Sequence, residues 1–251
     1  MKRRLGDRAA ELAVCFVLLS RLPVPYPRGK VDFARAVWAY PVVGACLGAL
    51  GGALFWGLCR IGQPPALAAC WTLAASVLLT GGLHEDGLAD TADGFGGGRD
   101  AARKLEIMRD SRIGSFGTIA LVLSLAIRGA AVAAFPAPSR AAVALVVAGC
   151  LGRAAIVAVL ATTRPARNDG LGASLADIPP PSVIAAGAVA VLAALLLPTR
   201  PAGLALLMAG LAALAMAVLA RRQIGGHTGD VLGATAVLAE CAVLASLAGR
   251  P

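Results

Sequence analysis

The chain has 251 residues, of which 58% are hydrophobic and 15% are charged, and its mean hydropathy is +0.78. A soluble domain is close to half apolar and about a quarter charged. The composition therefore excludes a water-soluble globule, a disordered chain and a fibrous protein. Aromatic residues make up only 4%, and small residues dominate, which is typical of transmembrane helices that pack through Gly and Ala.

The formal net charge of +9 comes from 23 Lys and Arg against 14 Asp and Glu. A nucleic-acid partner is one explanation of such a charge. Basic cytoplasmic loops are the preferred one, because Lys and Arg in short loops set the orientation of transmembrane helices. We therefore expect no nucleic-acid partner. The six cysteines lie singly in apolar runs and are expected to be packing residues.

The first twenty residues imitate a signal peptide, with a basic start and an apolar stretch. Asp7 and Glu11 interrupt the pattern, and no small-residue cleavage site follows before Arg21, so processing is not expected. The apolar stretch at residues 9–20 is shorter than the roughly 20 residues that a helix needs to cross the membrane. It predicts a short interfacial or half-buried helix, with an eighth span as the alternative.

Seven apolar windows predict transmembrane helices, since about 20 helical residues cross the hydrocarbon core. The fold class is therefore all-α, a polytopic membrane helix bundle that forms a single domain over residues 1–251. The predicted spans are 36–59, 65–80 extending toward 83, 113–136, 141–161, 182–198, 202–220 and 231–248.

The distribution of basic residues predicts the orientation of the bundle. With the N-terminus in the cytoplasm, the inside segments are 1–35, 81–112, 162–181 and 221–230. They hold seventeen of the 23 Lys and Arg residues, against four in the outside turns. Nearly all acidic residues lie in the same segments, so we expect one active face, toward the cytoplasm.

Three charged residues fall inside predicted spans, where a charge is costly and usually has a partner or a function. Arg153 is expected either to bind substrate or to pair with a carboxylate. Arg128 has the same two possibilities or ends a shorter span. Glu240 is a functional candidate, and pairing with Arg153 or Arg128 is its structural alternative.

The second inside segment carries three aspartates at helical spacing. At about 100° per residue, Asp86, Asp90 and Asp93 share one stripe of a helix. Like charges at this spacing repel, and a divalent cation removes the conflict. Oxygen ligands favour Mg²⁺, Mn²⁺ or Ca²⁺ over Zn²⁺. The stripe therefore predicts a metal site, and a solvated acidic face is the alternative.

Two neighbours of the stripe point elsewhere. His84 lies nearly opposite the aspartates and is expected to bind substrate or form a structural hydrogen bond. Glu85 lies about 100° from the stripe and is either peripheral or an extra ligand. Residues Gly94 to Gly98 are expected to end the helix and to let the backbone approach a phosphate.

Basic residues follow the glycines. Asp110, beside two arginines, is a candidate fourth metal ligand or general base. Carboxylates for Mg²⁺ combined with arginines, without a nucleophile triad, predict phosphoryl transfer. The expected phosphate contacts are Arg99, Arg109 and Arg112, while Arg103 and Lys104 contact phosphate or lipid headgroups.

The other inside segments suit anionic substrates. Arg164 and Arg167 lie in a polar loop that either binds substrate or only sets the topology. Thr228 and Asp230 open the last span, where free helix amides hold phosphate or nucleotide. A simple helix cap is the alternative for Asp230.

Two motifs carry a family resemblance. GGLHEDGLADTADGFGGG at 81–98 and KLEIMRDSRIGSFG at 104–117 closely resemble the signature of cobalamin-5′-phosphate synthases, also called adenosylcobinamide-GDP ribazoletransferases. The likeness covers essentially the whole chain, although Glu85 and His227 depart from the usual pattern. It continues at 20–25, 40–44, 164–172 and from 225–230 onward to Glu240.

The resemblance implies a multi-pass enzyme of the bacterial inner membrane with Mg²⁺ as cofactor. Its substrates would be adenosylcobinamide-GDP and α-ribazole or α-ribazole 5′-phosphate, and its products adenosylcobalamin or its 5′-phosphate, and GMP. Membrane lipid surrounds such a protein, and a homo-oligomer is an open alternative. Asp86, Asp90 and Asp93 carry over as metal ligands, Asp110 is a further candidate, and Asp93 and Asp110 are the catalytic candidates.

Two other functions compete with this one. Residues 90–94 resemble the opening of the CDP-alcohol phosphotransferase motif, whose Ala-Arg pair and later Asp pair are not reproduced here. Phospholipid synthesis is therefore the second enzyme hypothesis. A membrane transporter is the non-enzyme hypothesis, but transporters tend to have repeated halves, and this chain shows no convincing internal repeat.

Overall fold

A computed structural model describes residues 5–29, 31–170, 172 and 175–248, and within these residues the regular structure is entirely helical. The elements are α1 (Leu5–Leu19), α2 (Phe33–Ala36) with a 3-10 turn (Val37–Ala39), α3 (Tyr40–Arg60), α4 (Pro65–Thr80), α5 (Leu83–Gly97), α6 (Ala101–Ile107), α7 (Ser115–Ala133), α8 (Pro138–Thr162), α9 (Pro180–Ala194), α10 (Thr199–Ile224) and α11 (Gly229–Leu247).

Within that part, five helical segments are long and apolar enough to cross a membrane, which confirms a multi-pass helical membrane protein. The other two predicted spans are the shorter helices α4, with 16 residues, and α9, with 15. If α4 and α5 are counted as one bent crossing, they form a sixth span. The five are Phe33–Arg60, Ser115–Ala133, Pro138–Thr162, Thr199–Ile224 and Gly229–Leu247.

The N-terminal helix α1 has 15 residues and packs on the bundle with one face. Val14 and Cys15 are buried, as expected for a half-buried helix. Glu11 accepts a 2.7 Å hydrogen bond from Nε1 of Trp38 and a 3.3 Å hydrogen bond from Arg8. These contacts fix α1 against the start of the first span.

Helix α8 lies at the centre and packs against α3, α9, α10 and α11. Its approach to α3 depends on glycine, because a Cβ atom added at Gly44 or Gly48 would collide with the α8 backbone at Gly149 or Leu145. Small residues allow membrane helices to approach at backbone distance, as the composition indicated.

A glycine pair turns the chain between α4 and α5. Gly81 and Gly82 have φ values of 66° and 71°, a left-handed conformation that other residues adopt at a cost. The axes of α4 and α5 therefore differ by 90°. The polar helix α5 leaves the line of α4, outside the five spans, and packs between α7 and α11.

The glycine-rich stretch after the aspartates ends helix α5, as expected. The helix runs to Gly97, and Gly98 is its C-cap. A Cβ atom at Gly94 would meet the side chain of Met108, and one at Gly96 would meet the ring of Phe116. These glycines let α5 pack closely against α6 and α7, and the approach of their backbone to a phosphate stays a prediction.

Candidate active site

Helices α5 and α11 bring three carboxylates to one end of the bundle. Asp86 is exposed, and Asp90 and Asp230 are half-buried. A Cβ atom at Gly87 would lie 2.7 Å from the carbonyl oxygen of Asp230, so the two helix backbones are in close contact here. Partial burial, and then the negative charges of Asp86 and Asp230, raise the pKa of Asp90 to about 7. The site thus concentrates negative charge without enough cations to offset it.

Asp93, the third aspartate of the stripe, contacts helix α7. Its two carboxylate oxygens accept hydrogen bonds from the backbone N–H of Gly114, at 2.7 Å, and of Gly117, at 2.8 Å. Both amides are at the beginning of α7, where helix N–H groups lack internal partners. Asp93 is only 8% exposed. It therefore caps α7 in this structure.

Among the described residues, no group of three or more His, Cys, Asp or Glu side chains is arranged to hold a metal ion. The predicted set of Asp86, Asp90 and Asp93 is thus not assembled as a ready-made site. Mg²⁺ is usually bound by one or two carboxylates together with substrate phosphates and water. Asp86 and Asp90, four residues apart on α5, match that smaller donor set, so the residues present fit Mg²⁺ that arrives with a phosphorylated substrate.

A polar pocket of about 310 Å³ lies beside the carboxylates. Arg167 donates a 2.9 Å hydrogen bond to Asp230, and Arg109 donates one of 2.6 Å to Asp169. Four predicted substrate contacts therefore meet in one place. The side chains that line the pocket belong to Arg109, Arg167, Asp169, His227, Thr228 and Asp230.

Two loops are joined behind this pocket. The backbone N–H of His227 donates to the carbonyl of Arg164, and the N–H of Ala166 donates to the carbonyl of His227, both at 2.8 Å. The His227 ring is buried beside Thr163 Oγ1, at 2.8 Å, and burial lowers its pKa. Arg164 contributes this backbone contact while its side chain remains exposed. The bridge holds the arginine loop against the start of α11.

Thr228 caps helix α11, since its hydroxyl accepts a 3.3 Å hydrogen bond from the N–H of Val231 and donates one of 3.1 Å to Asp230. The helix cap, which was the alternative role for Asp230, is therefore made by Thr228. Asp230 instead faces Arg167 and the acidic residues of α5.

Asp110 is held by its neighbour Arg112. The guanidinium of Arg112 donates to both carboxylate oxygens, at 2.6 to 3.1 Å. These hydrogen bonds lower the pKa of Asp110 to about 2, so that Asp110 is ionised but weakly basic. Arg99 is exposed and makes no ion pair within the described part of the chain. Arg112 and Arg99 are therefore exposed, and neither lines the pockets described here.

A second charged group lies inside the bundle. Arg128 donates to Glu85 at 3.0 Å and to Glu240 at 3.2 Å, and Arg153 also donates to Glu240. The structural pairing of Glu240 is confirmed, with both of the expected arginines. His84 is 3% exposed, and neither ring nitrogen has a hydrogen-bond partner. Arg153 and His84 both line the small interior cavity beside this network, and His84 also lines an apolar pocket together with Asp86 and Asp230.

An apolar pocket of about 200 Å³ adjoins the polar one, and Asp230 and Gly172 contribute to both. Its walls include Leu19, Tyr40 and Leu175. The combined site therefore offers carboxylates, arginines and an apolar wall within one end of the bundle. Sequence spacing did not reveal Asp169 as the partner of Arg109 or Glu85 as the partner of Arg128, because both pairs join distant segments.

The fold defines an integral, multi-pass membrane protein with carboxylates and arginines gathered at one end of the bundle. Comparisons with known proteins identify its family. The family model described as cobalamin-5-phosphate synthase matches residues 11–248.

Similar proteins agree with this match. The chain is 46% identical to the adenosylcobinamide-GDP ribazoletransferase of Bradyrhizobium diazoefficiens, over 94% of the chain and 92% of the relative. Proteins with the same name from Azorhizobium caulinodans and Mesorhizobium japonicum are 44% and 42% identical, over 94% and 93% of the chain and 94% and 91% of the relatives. No solved structure matches the chain. The chain belongs to the cobalamin-5-phosphate synthase family and is a transferase, which confirms the resemblance of its motifs.

Proposed function

We propose that this protein catalyses the Mg²⁺-dependent joining of adenosylcobinamide-GDP to α-ribazole or α-ribazole 5′-phosphate. The products are adenosylcobalamin or its 5′-phosphate, and GMP. One observation carries the proposal: Asp230 of α11 lines one pocket with Arg109 and Arg167, and it lines the adjoining pocket with Asp86 of α5. The relatives named above carry this activity in their names.

The proposed reaction is a displacement at phosphorus. A ribose hydroxyl oxygen attacks the phosphorus atom attached to cobinamide, and the P–O bond to the GMP group breaks. GMP leaves with the bonding electrons, and the hydroxyl proton passes to a base or to water. Catalysis of this kind depends on positioning and on offsetting negative charge.

Residues of the pocket suit those two tasks. Arg109 and Arg167 each hold a carboxylate in this structure, and phosphate oxygens are alternative partners of the same charge. Asp86 and Asp90 would hold Mg²⁺, which supplies charge neutralisation on the diphosphate when bound. Arg99, Arg112 and Arg164 are exposed and are proposed to contact the outer phosphates. The apolar pocket suits the uncharged base of the ribazole.

The active face is proposed to lie on the cytoplasmic side of the inner membrane. Support comes from the distribution of Lys and Arg, because the site is formed by the segments that hold most of them. Substrates that carry nucleotides and phosphates are consistent with such a location.

The test is a product assay with the purified protein in lipid nanodiscs. Adenosylcobinamide-GDP is incubated with α-ribazole or with α-ribazole 5′-phosphate, and corrinoid product and GMP are measured by liquid chromatography and mass spectrometry. We expect equal amounts of both products with Mg²⁺, none with EDTA, and recovery when Mg²⁺ is restored. CMP release from CDP-diacylglycerol without any corrinoid product would instead support the phospholipid hypothesis.

A further inference from the structure

Helices α5 and α11 each carry residues of the active site and residues of the buried ion network. The network consists of Glu85, Arg128, Arg153 and Glu240. We infer that Glu85 and Arg128 are positioning residues, which hold α5 against α11 and so set the spacing between Asp86 and Asp90 on one helix and Asp230 on the other. This inference rests on the proposed function, because it concerns the same carboxylates.

Arg128 is the bridging side chain. It lies in α7 and is 4% exposed. One terminal nitrogen donates to Glu85 of α5 at 3.0 Å, and the other donates to Glu240 of α11 at 3.2 Å. The planar guanidinium fixes the directions of both bonds. A single side chain thus joins the two helices that carry the site carboxylates.

Arg153 of α8 completes the network through its contact with Glu240. Two positive and two negative side chains therefore face one another in the interior. Charges enclosed by apolar helices are strongly disfavoured without partners. Displacement of any member would leave one sign of charge in excess in the buried network, so the network resists movement of α5.

Glu85 and Arg128 act through α5 and do not contact the substrate. The cavity that they share with Arg153 and Glu240 has a volume of about 50 Å³, which admits ordered water but no nucleotide. Glu85 directly precedes Asp86, and Gly87 touches the backbone of Asp230. A small rotation of α5 about its axis would therefore change the distance between the carboxylates of the two helices.

The first test uses the double variant Glu85→Leu/Arg128→Met. The single variant Arg128→Met would leave Glu85 unpaired, whereas the double variant removes one charge of each sign and keeps the Arg153–Glu240 pair. For the double variant we expect folded protein by size-exclusion chromatography, kcat lower by about 10- to 100-fold, as misplacement near 1 Å produces, and KM values within about twofold. An unchanged kcat would overturn the inference.

A second readout does not depend on turnover. Mn²⁺ binding is measured by electron paramagnetic resonance with adenosylcobinamide-GDP present and no ribazole, and hydrogen exchange is measured for the α5 segment, Leu83–Gly97. We expect the double variant to bind Mn²⁺ about tenfold more weakly or worse, as for other supporting partners of metal ligands, and to exchange faster in α5. Wild-type binding and exchange in the double variant would contradict a positioning role.

The control is Asp32→Asn/Arg35→Met. It removes one charge of each sign from an exposed ion pair at α2 that lines neither pocket and has no member in the network. We expect its kcat, Mn²⁺ affinity and α5 exchange to equal those of the wild type, and an equal loss in the control would overturn the inference. If the wild type forms no corrinoid product, the proposed function fails, while the Mn²⁺ and exchange comparisons still decide the role of the network.

Failure of the double variant to fold would move the test to Glu85→Gln. Glutamine keeps one acceptor for Arg128 but loses the charge. We then expect a several-fold loss of kcat with unchanged KM, and faster exchange in α5. Wild-type kcat and exchange in Glu85→Gln would overturn the inference.

Discussion

Glu85 and Asp86 are adjacent in the chain, yet they belong to regions whose charges are balanced in opposite ways. In the interior, each acidic side chain of the network faces an arginine. At the open end, the three carboxylates of α5 and α11 have Arg167 as their one ion-pair partner among the described residues. Burial forces charges to match. An excess of negative charge persists only beside water, where a cation and a substrate can offset it, so the imbalance marks the functional region.

The largest effect is expected from a substitution in the buried ion network of Glu85, Arg128, Arg153 and Glu240. Arg153→Met leaves Glu240 with Arg128 alone and Glu85 competing for the same cation. Removal of one partner from a buried ion pair costs about 3–5 kcal/mol of stability. Thermal unfolding in detergent should show a large drop in melting temperature. As the exposed counterpart, Asp169→Asn breaks the pair with Arg109 and should cost less than about 1 kcal/mol. Equal losses in both variants would contradict the comparison.

The next largest effect is expected from substitutions among the carboxylates at the open end of the bundle. Asp86→Asn and Asp90→Asn each remove a charged oxygen donor from the face proposed to hold Mg²⁺. We expect turnover to fall by more than about 100-fold, the upper range for supporting partners of a metal site. Stability should stay equal or rise, because burial, and then repulsion from Asp86 and Asp230, raise the pKa of Asp90 and so disfavour its charged form.

The control for that pair is Asp177→Asn, which neutralises an exposed carboxylate outside the site. Its turnover should match the wild type. Near-normal turnover in the Asp86 or Asp90 variants, with Mg²⁺ dependence intact, would remove both residues from the proposed site.

A smaller effect separates Asp93 from its two neighbours on the stripe. Asp93→Asn replaces an acceptor of two backbone hydrogen bonds with a group that has one acceptor oxygen. The unpaired N–H at the start of α7 should cost about 1–3 kcal/mol of stability. Mn²⁺ affinity should change little, in contrast to Asp86→Asn. If Asp93→Asn lost Mn²⁺ binding but kept the stability of the wild type, Asp93 would be a metal ligand and not only a helix cap.

The stripe shows what sequence could and could not establish. Periodicity correctly placed the aspartates on one helix, and hydropathy located the spans. Spacing along one helix does not reveal which element faces each side chain. Asp93 lies within the stripe but reaches the amides of α7, and Asp230 joins the acidic group from 140 or more residues away. Glu240 was predictable, because a carboxylate within a span needs a cation, and two arginines were available.

The smallest effect concerns Asp110, the candidate base. Its pair with Arg112 keeps Asp110 ionised at every pH above about 2, so its protonation cannot produce a loss of activity between pH 4 and 7. A carboxylate with so low a pKa accepts a proton poorly. We therefore expect Asp110→Asn to lower kcat by less than about tenfold and to leave the acid side of the pH profile where the wild type has it. A general base would lose about 10²- to 10⁴-fold. A loss of kcat of that size, with unchanged stability and unchanged Mn²⁺ affinity, would assign proton transfer to Asp110. Arg112 would then have to release Asp110 when substrate binds.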